Sequence, residues 1–364
     1  MNLTGSSTKN VRLNSGDTPR VNASGYDAKE SLTPFADLRD DEVISLVNRA
    51  LLGNVRRDTS YKFVFFKSIL DNLFNVDLKS EPECFLSFDT ISLRFAEIYW
   101  NLVVRFGLKQ RPLYTNGDKA AVERLFEEFC QRQGIPMGEV GFPFESLRQD
   151  LQLELSKAMK KSIVKKYVLE AFCADTGGQF YHFSKKHRWE GIYLNKSFFT
   201  VLAKYRSDFE KINYFEWIKF LESINKEEDS YMLASKLDRS TERENLDSYR
   251  KVLREFGQAE CFYCGKRLSD NAVDHFIPWS FVKDDRLWNF VLACPSCNSR
   301  KSDKLASQTF LSGMRSRNER LGRLNHPFVQ AQFKGYEFAK LALMYQNAIF
   351  NGFQHGWEPT PASP

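Results

Sequence analysis

Residues 261–304 gather most of the side chains in this chain that could do chemistry. Cys261 and Cys264 stand two residues apart, and a second pair, Cys294 and Cys297, follows after 29 intervening residues. Thiolates at that spacing bind one metal ion from a tight turn, and Gly265 supplies the positive φ that such a turn uses. Four thiolates at about 2.3 Å close a tetrahedral zinc site with no open position, so the expected ion is structural. Its binding would supply much of the folding free energy of a module about fifty residues long. A thioredoxin-like redox site would want a single pair in a βαβ setting, and none surrounds these; unligated buried cysteines are the plainer alternative. The other three cysteines, Cys84, Cys130 and Cys173, are isolated.

Between the pairs lie an acid, a base and two carboxamides. "NAVDHFIP" reads as a short strand running into Asp274 and His275, "LWNFVLAC" as a second apolar segment carrying Asn289, and "PSCNSRKSDK" as a helix bearing Asn298, Arg300, Lys301 and Lys304. Taken singly each has a bland reading. An Asp-His pair more often ends a strand than catalyses, Asn289 could cap a turn, and "NSRKSDK" could be a solvated basic face. Together, inside a zinc frame, they form a strand-strand-helix unit with polar groups converging on it.

This pattern resembles the HNH, or ββα-metal, nuclease family in its branch with two Cys-x-x-Cys pairs. "DHFIPWSFVKDDRLWNFVL" followed by "CNSRKSDK" is also similar to the HNH domain of RNA-guided CRISPR effector nucleases. The resemblance covers residues 261 to 304 and says little about residues 1 to 235. It implies that Asp274 and Asn298 are ligands of a catalytic Mg²⁺ or Mn²⁺ and that His275 is the general base. It implies too that Asn289 braces the loop behind the histidine. Many members end the motif in His, so Asn298 places this chain in the Asn-ending subgroup. Phosphodiester hydrolysis needs a base for the attacking water and compensation for charge on the phosphoryl and leaving oxygens. An imidazole that is neutral near pH 7 and a hard divalent ion meet those needs. Arg300, Lys301 and Lys304 are then expected to grip flanking phosphates.

The implied activity is endonucleolytic cleavage of DNA to 5′-phosphate and 3′-hydroxyl ends, in a setting such as bacterial restriction or phage defence. An RNA- or tRNA-cleaving enzyme and a non-catalytic DNA-binding or assembly scaffold are the other two readings. A homodimer or a defence-system partner protein would suit the family.

The rest of the chain must position this unit. Its 364 residues, 42% hydrophobic and 14% aromatic, suffice for a packed core, and the formal charge of +6 suits a polyanionic partner without demanding one. No run of 18 apolar residues and no signal-peptide layout occurs, so a cytoplasmic protein outside membranes is expected. The expected class is α+β. It comprises an arm over 1–40 poor in large apolar residues, a helical region over 41–235, a linker helix over 236–260, the module at 261–304, and C-terminal helices over 305–364.

Helical spacing of Val43, Leu46, Val47, Ala50 and Leu51, with Gly53 as a C-cap, and of Phe63, Phe66, Ile69, Leu70 and Leu73 predicts two buried helices. Residues 41 to about 175 read as all-helical, "GGQFYHFSKKHRWEGIYLN" as a hairpin, and "WEPTPASP" as a frayed end. Trp279 and Trp288 suit core packing better than base stacking. His182 and His187 suit a structural role or a phosphate contact, and the run from Lys157 to Lys166 a solvated face.

Overall fold

Three carboxylates, Asp40, Asp41 and Glu42, stand in the first turn of α1 (Asp40–Leu52), where the helix dipole favours negative charge, and Val43, Val47, Ala50 and Leu51 form its buried face. The computed structural model describes residues 35–52, 58–77, 84–112, 119–137, 143–183, 190–226, 232–240 and 245–359. Residues 35–364 form one compact unit. Residues 1–34 of the expected arm, the Gly53 cap and His187 lie outside the described residues, whereas Phe35–Arg39 lead into α1, with Leu38 N–H donating to Ser197 Oγ at 3.1 Å.

α2 (Tyr61–Asp71) is apolar on nearly every side, so it sits at the centre of the helical region, surrounded by its neighbours. Around it pack α3 (Phe88–Tyr99), α4 (Ala121–Gln133), α5 (Gln149–Met159), α6 (Leu169–Asp175), α7 (Lys196–Lys204) and α8 (Arg206–Ile224). α3 runs on into a π-helical stretch at Trp100–Arg105, and α5 joins α6 through another at Lys160–Val168. Residues 149–175 therefore run as one helix with a widened middle.

α2 also carries charge into the core. Lys67 Nζ lies 2.5 Å from Asp71 Oδ1 and 2.8 Å from Glu210 Oε1, and Arg206 Nη2 lies 3.0 Å from the same Asp71 oxygen. Burial disfavours the Lys67 ammonium, but Asp71 and Glu210 outweigh it and hold its pKa above the ordinary lysine value. Such a cluster is tolerated because each charge has a partner.

Three parts of the sequence reading change. First, the region 41–175 is not all helix: β1 (Cys84–Ser87) pairs antiparallel with β3 (Gly191–Leu194), which also pairs with β2 (Tyr181–His182). The hairpin was visible in the sequence, but its partner strand is four residues long and lies about a hundred residues upstream. Gly191 is required at its place, since a Cβ there would meet the Leu86 carbonyl oxygen and the Phe85 ring. Second, the linker is two helices, α9 (Leu233–Asp238) and α10 (Asp247–Glu255), not one. Third, residues 357–359 are not frayed: Trp357 N–H donates to Leu305 O at 3.0 Å, and the Trp357 ring meets Tyr263 edge-on at 5.2 Å.

The C-terminal helices α13 (Phe310–Gly322), α14 (Pro327–Gln332) and α15 (Phe338–Phe350) complete the core beneath residues 261–304. That core also takes in Phe74 and Ala203 from the helical region. Lys340 Nζ donates to Val76 O at 2.7 Å and Arg94 Nη2 to Lys283 O at 2.7 Å, so polar contacts cross the same junction.

Replacing Asp71 with alanine should leave Lys67 and Arg206 buried without their shared carboxylate. A loss of about 3–5 kcal/mol in urea unfolding is expected, and a loss below about 1 kcal/mol would show that the cluster relaxes around the change.

Candidate active site

The cysteines come first, because everything else hangs from them. Cys261 and Cys264 flank a turn in which Gly265 N–H donates to Cys261 O at 2.9 Å and Gly265 takes a φ of +69°. Phe262 N–H donates to Leu292 O at 3.0 Å, which ties this knuckle to the sheet behind it. Cys294 is the N-cap of α12 (Pro295–Lys301), whose Pro295 takes the first helical position, and Cys297 lies one turn on. All four sulfurs lie within 4.8 Å of one another, with Cys264 and Cys294 at 3.9 Å. Tetrahedral zinc–sulfur bonds of about 2.3 Å imply sulfur separations of about 3.8 Å, so the four cysteines fit a zinc ion. Packed together, the sulfurs drive one another apart in acidity. Burial and donation to Cys294 push the Cys297 thiol up, whereas at Cys294 burial is outweighed by donation from Cys297 and the other sulfurs, and its thiol falls.

β4 (Ala272–His275) and β5 (Phe290–Ala293) form an antiparallel hairpin in which Asp274 faces Val291 and His275 faces Phe290. With α12 they make the expected strand-strand-helix unit. Alternation along β4 sends Asp274 and His275 to opposite faces. Asp274 goes toward the knuckle and helix: its Oδ2 accepts from the Tyr263 hydroxyl at 2.5 Å, and Lys301 Nζ lies 3.0 Å from Oδ2 and 3.3 Å from Oδ1. The same ammonium donates to His275 O at 2.7 Å. Lys301 is fully buried. The expected phosphate contact by Lys301 is therefore corrected: its ammonium is a strut between the two motif residues and does not reach the surface.

The His275 ring lies between Phe290, edge-on at 4.5 Å, and Asp285, whose Oδ1 is 2.6 Å from Nε2. The ring is nearly buried, and Nδ1 has no hydrogen-bond partner among the described residues. Asn289 bonds the backbone beyond the histidine. Its Nδ2 donates to Ile277 O and its Oδ1 accepts from Ile277 N–H, both at 3.0 Å, so one carboxamide clamps the backbone two residues past the histidine. Asn298, half-buried one turn before Lys301, makes no side-chain hydrogen bond among the described residues. Lys301 and Tyr263 already neutralise and occupy much of the Asp274 carboxylate.

Arg300 is exposed, and Lys304 Nζ turns back to donate to Arg300 O at 3.0 Å. Trp288 is buried, whereas Trp279 is half-buried with Lys283 Nζ 4.6 Å from its ring centre. His182 stacks against Phe35 at 4.5 Å and Tyr193 at 5.7 Å, a packing role. In the basic run, Lys160 pairs with Asp89, and Lys165 and Lys166 lie over the Phe88 and Tyr167 rings. Tyr263 and Asp285 carried no expectation. Both sit within residues 261–304, where "CFYC" and "KDDR" look like filler, and only the fold shows which carboxylate of the Asp284-Asp285 pair turns inward.

Residues 261–307 match the family model of HNH endonucleases. The match agrees with the resemblance that the sequence carries and with the four-cysteine site. No curated protein and no solved structure matches the chain.

Purified chain should carry one zinc ion by elemental analysis. Cys297→Ser should lose it and melt the module, seen as loss of protection from proteolysis across 261–304; full protection in the zinc-free variant would show that the metal is dispensable for folding.

Proposed function

We propose that this chain is a metal-dependent endonuclease that hydrolyses DNA phosphodiester bonds, leaving 5′-phosphate and 3′-hydroxyl ends. The observation that carries the reading is the state of His275. Its ring is held on Nε2 by Asp285 and against Phe290, while Nδ1 has no hydrogen-bond partner among the described residues.

In this reading His275 takes a proton from the attacking water. A neutral imidazole suits that work near pH 7. Asn289 keeps the base from swinging, because its two bonds to Ile277 fix the backbone immediately after it. Asp274 and Asn298 would hold one divalent ion, Mg²⁺ or Mn²⁺, which when bound supplies charge compensation at the scissile phosphate and the leaving oxygen. Arg300 can meet a flanking phosphate from the exposed face of α12.

Charge distribution supports a polyanionic substrate. Residues 261–364 carry thirteen basic and eight acidic side chains, whereas residues 35–260 carry 35 of each. The electrostatic attraction is therefore concentrated on the module and its C-terminal helices. A host-defence role, by restriction or as an effector beside a partner protein, is the setting we favour on family grounds.

One observation favours the scaffold reading instead: Asp274 is already paired with Lys301 and Tyr263. The two readings separate cleanly at the histidine. Purified protein with plasmid and Mg²⁺ or Mn²⁺ should nick or linearise DNA, and His275→Ala should cut at least 10²-fold more slowly with zinc content unchanged. Equal cutting by the variant, or no cutting of duplex DNA, single-stranded DNA or RNA by the wild type with either ion, would defeat the nuclease reading. Preference for the labelled RNA would move the substrate class.

A further inference from the structure

The base in the mechanism above has a carboxylate behind it that the nuclease motif does not name. Resting on that mechanism, we infer that Asp285 is the positioning residue of His275: it holds the ring with its proton on Nε2 and leaves Nδ1 as the basic nitrogen. The pairing is 2.6 Å long, and both side chains are at least nine-tenths buried. An ionised carboxylate only accepts hydrogen bonds, so the ring nitrogen facing it must be the donor. In a neutral imidazole the other nitrogen then holds the lone pair. At that separation, and shielded from water, a charge-assisted bond of this kind is among the stronger ones a side chain can make.

The loop that delivers Asp285 is held at several points. The Tyr249 hydroxyl, from α10, donates to the Asp285 carbonyl at 3.1 Å. Leu287 N–H donates to Gln332 Oε1 at 3.2 Å, and Arg286 Nε pairs with Asp284 Oδ2 at 2.8 Å. Upstream, the single helical turn α11 (Trp279–Val282) sets Phe281 against Phe74 at 5.6 Å and against the Arg206 guanidinium at 5.9 Å. Arg94 from α3 donates to the carbonyl of Lys283, two residues before Asp285. The helical region therefore reaches the base through the backbone of residues 279–286. A freely mobile loop would let the ring rotate and present either nitrogen; this one gives a single orientation.

The test uses the full-length, zinc-loaded chain labelled with ¹⁵N-histidine, with the His275 signals assigned by their loss in His275→Ala. The chemical shifts of the two ring nitrogens report directly which of them carries the proton. The expected result is protonated Nε2 in the wild type. In Asp285→Asn, whose carboxamide can donate as well as accept, that preference should fall, and kcat on DNA should drop on the order of 10²-fold with KM within about twofold. A wild-type ring protonated on Nδ1 overturns the inference. So does a variant that keeps its zinc, its tautomer and its kcat. Should the wild type cut no nucleic acid, the nuclease reading falls, while the nitrogen spectrum still decides the Asp285 pairing.

Discussion

Two four-residue strands and a seven-residue helix enclose too little apolar surface to hold a histidine still. That shortage explains most of what surrounds residues 261–304. The four cysteines, with sulfurs spaced for a single ion, could supply a metal staple at one end. At the other end Arg317 donates to the carbonyls of Leu287 and Trp288, and Asn318 donates to Trp288 O at 2.8 Å. Burial without a carboxylate partner lowers the Arg317 pKa to about 9, a cost that α13 meets to hold the turn leading into β5. The apolar remainder comes from outside the motif, in Leu341, Met344 and Tyr345 of α15 and in Phe74 of the helical region. The module is a motif by sequence and a partner of the whole fold by packing.

The legibility of the chain follows the same division. Cys261, Cys264, Cys294 and Cys297 were readable because metal ligation imposes a spacing that few other demands impose, and the sulfurs meet as that spacing requires. Asn289 acts locally: a carboxamide twelve residues along clamps Ile277 across the hairpin. Lys301 was misplaced for a physical reason. On a helix, neighbouring side chains are turned by about 100°, so Arg300 meets solvent while Lys301 is drawn inward by a carboxylate and a carbonyl. A charge pattern does not tell which face is which when the partner, Asp274, lies 27 residues away. β1 escaped for a related cause, being too short to show a period and stabilised by pairing with a distant strand.

Asp274 and His275 illustrate how one strand serves two demands. Alternation points their side chains to opposite faces, so the carboxylate can be neutralised by Lys301 and Tyr263 while the imidazole is held by Asp285. Lys301 links the faces again, because its ammonium bonds the Asp274 carboxylate and the His275 carbonyl together. Any shift of α12 therefore moves both residues at once. Asn298, one turn earlier on the same helix, moves with them.

The loop from Trp279 to Arg286 gives the helical region a mechanical stake in the site. Its Phe281 contacts Arg206, and Arg206 shares Asp71 with Lys67 at the centre of the helical core. Its Lys283 carbonyl takes a hydrogen bond from Arg94, whose Nε also lies 3.6 Å from Asp71. One buried carboxylate thus anchors two arginines that hold the loop carrying Asp285, and Asp285 in turn holds the histidine. Each step is a charged or hydrogen-bonded contact taken out of water, where its geometry is costly to change. Residues 35–260, neutral overall and without a nuclease motif, therefore reach the His275 loop through a chain of buried polar contacts.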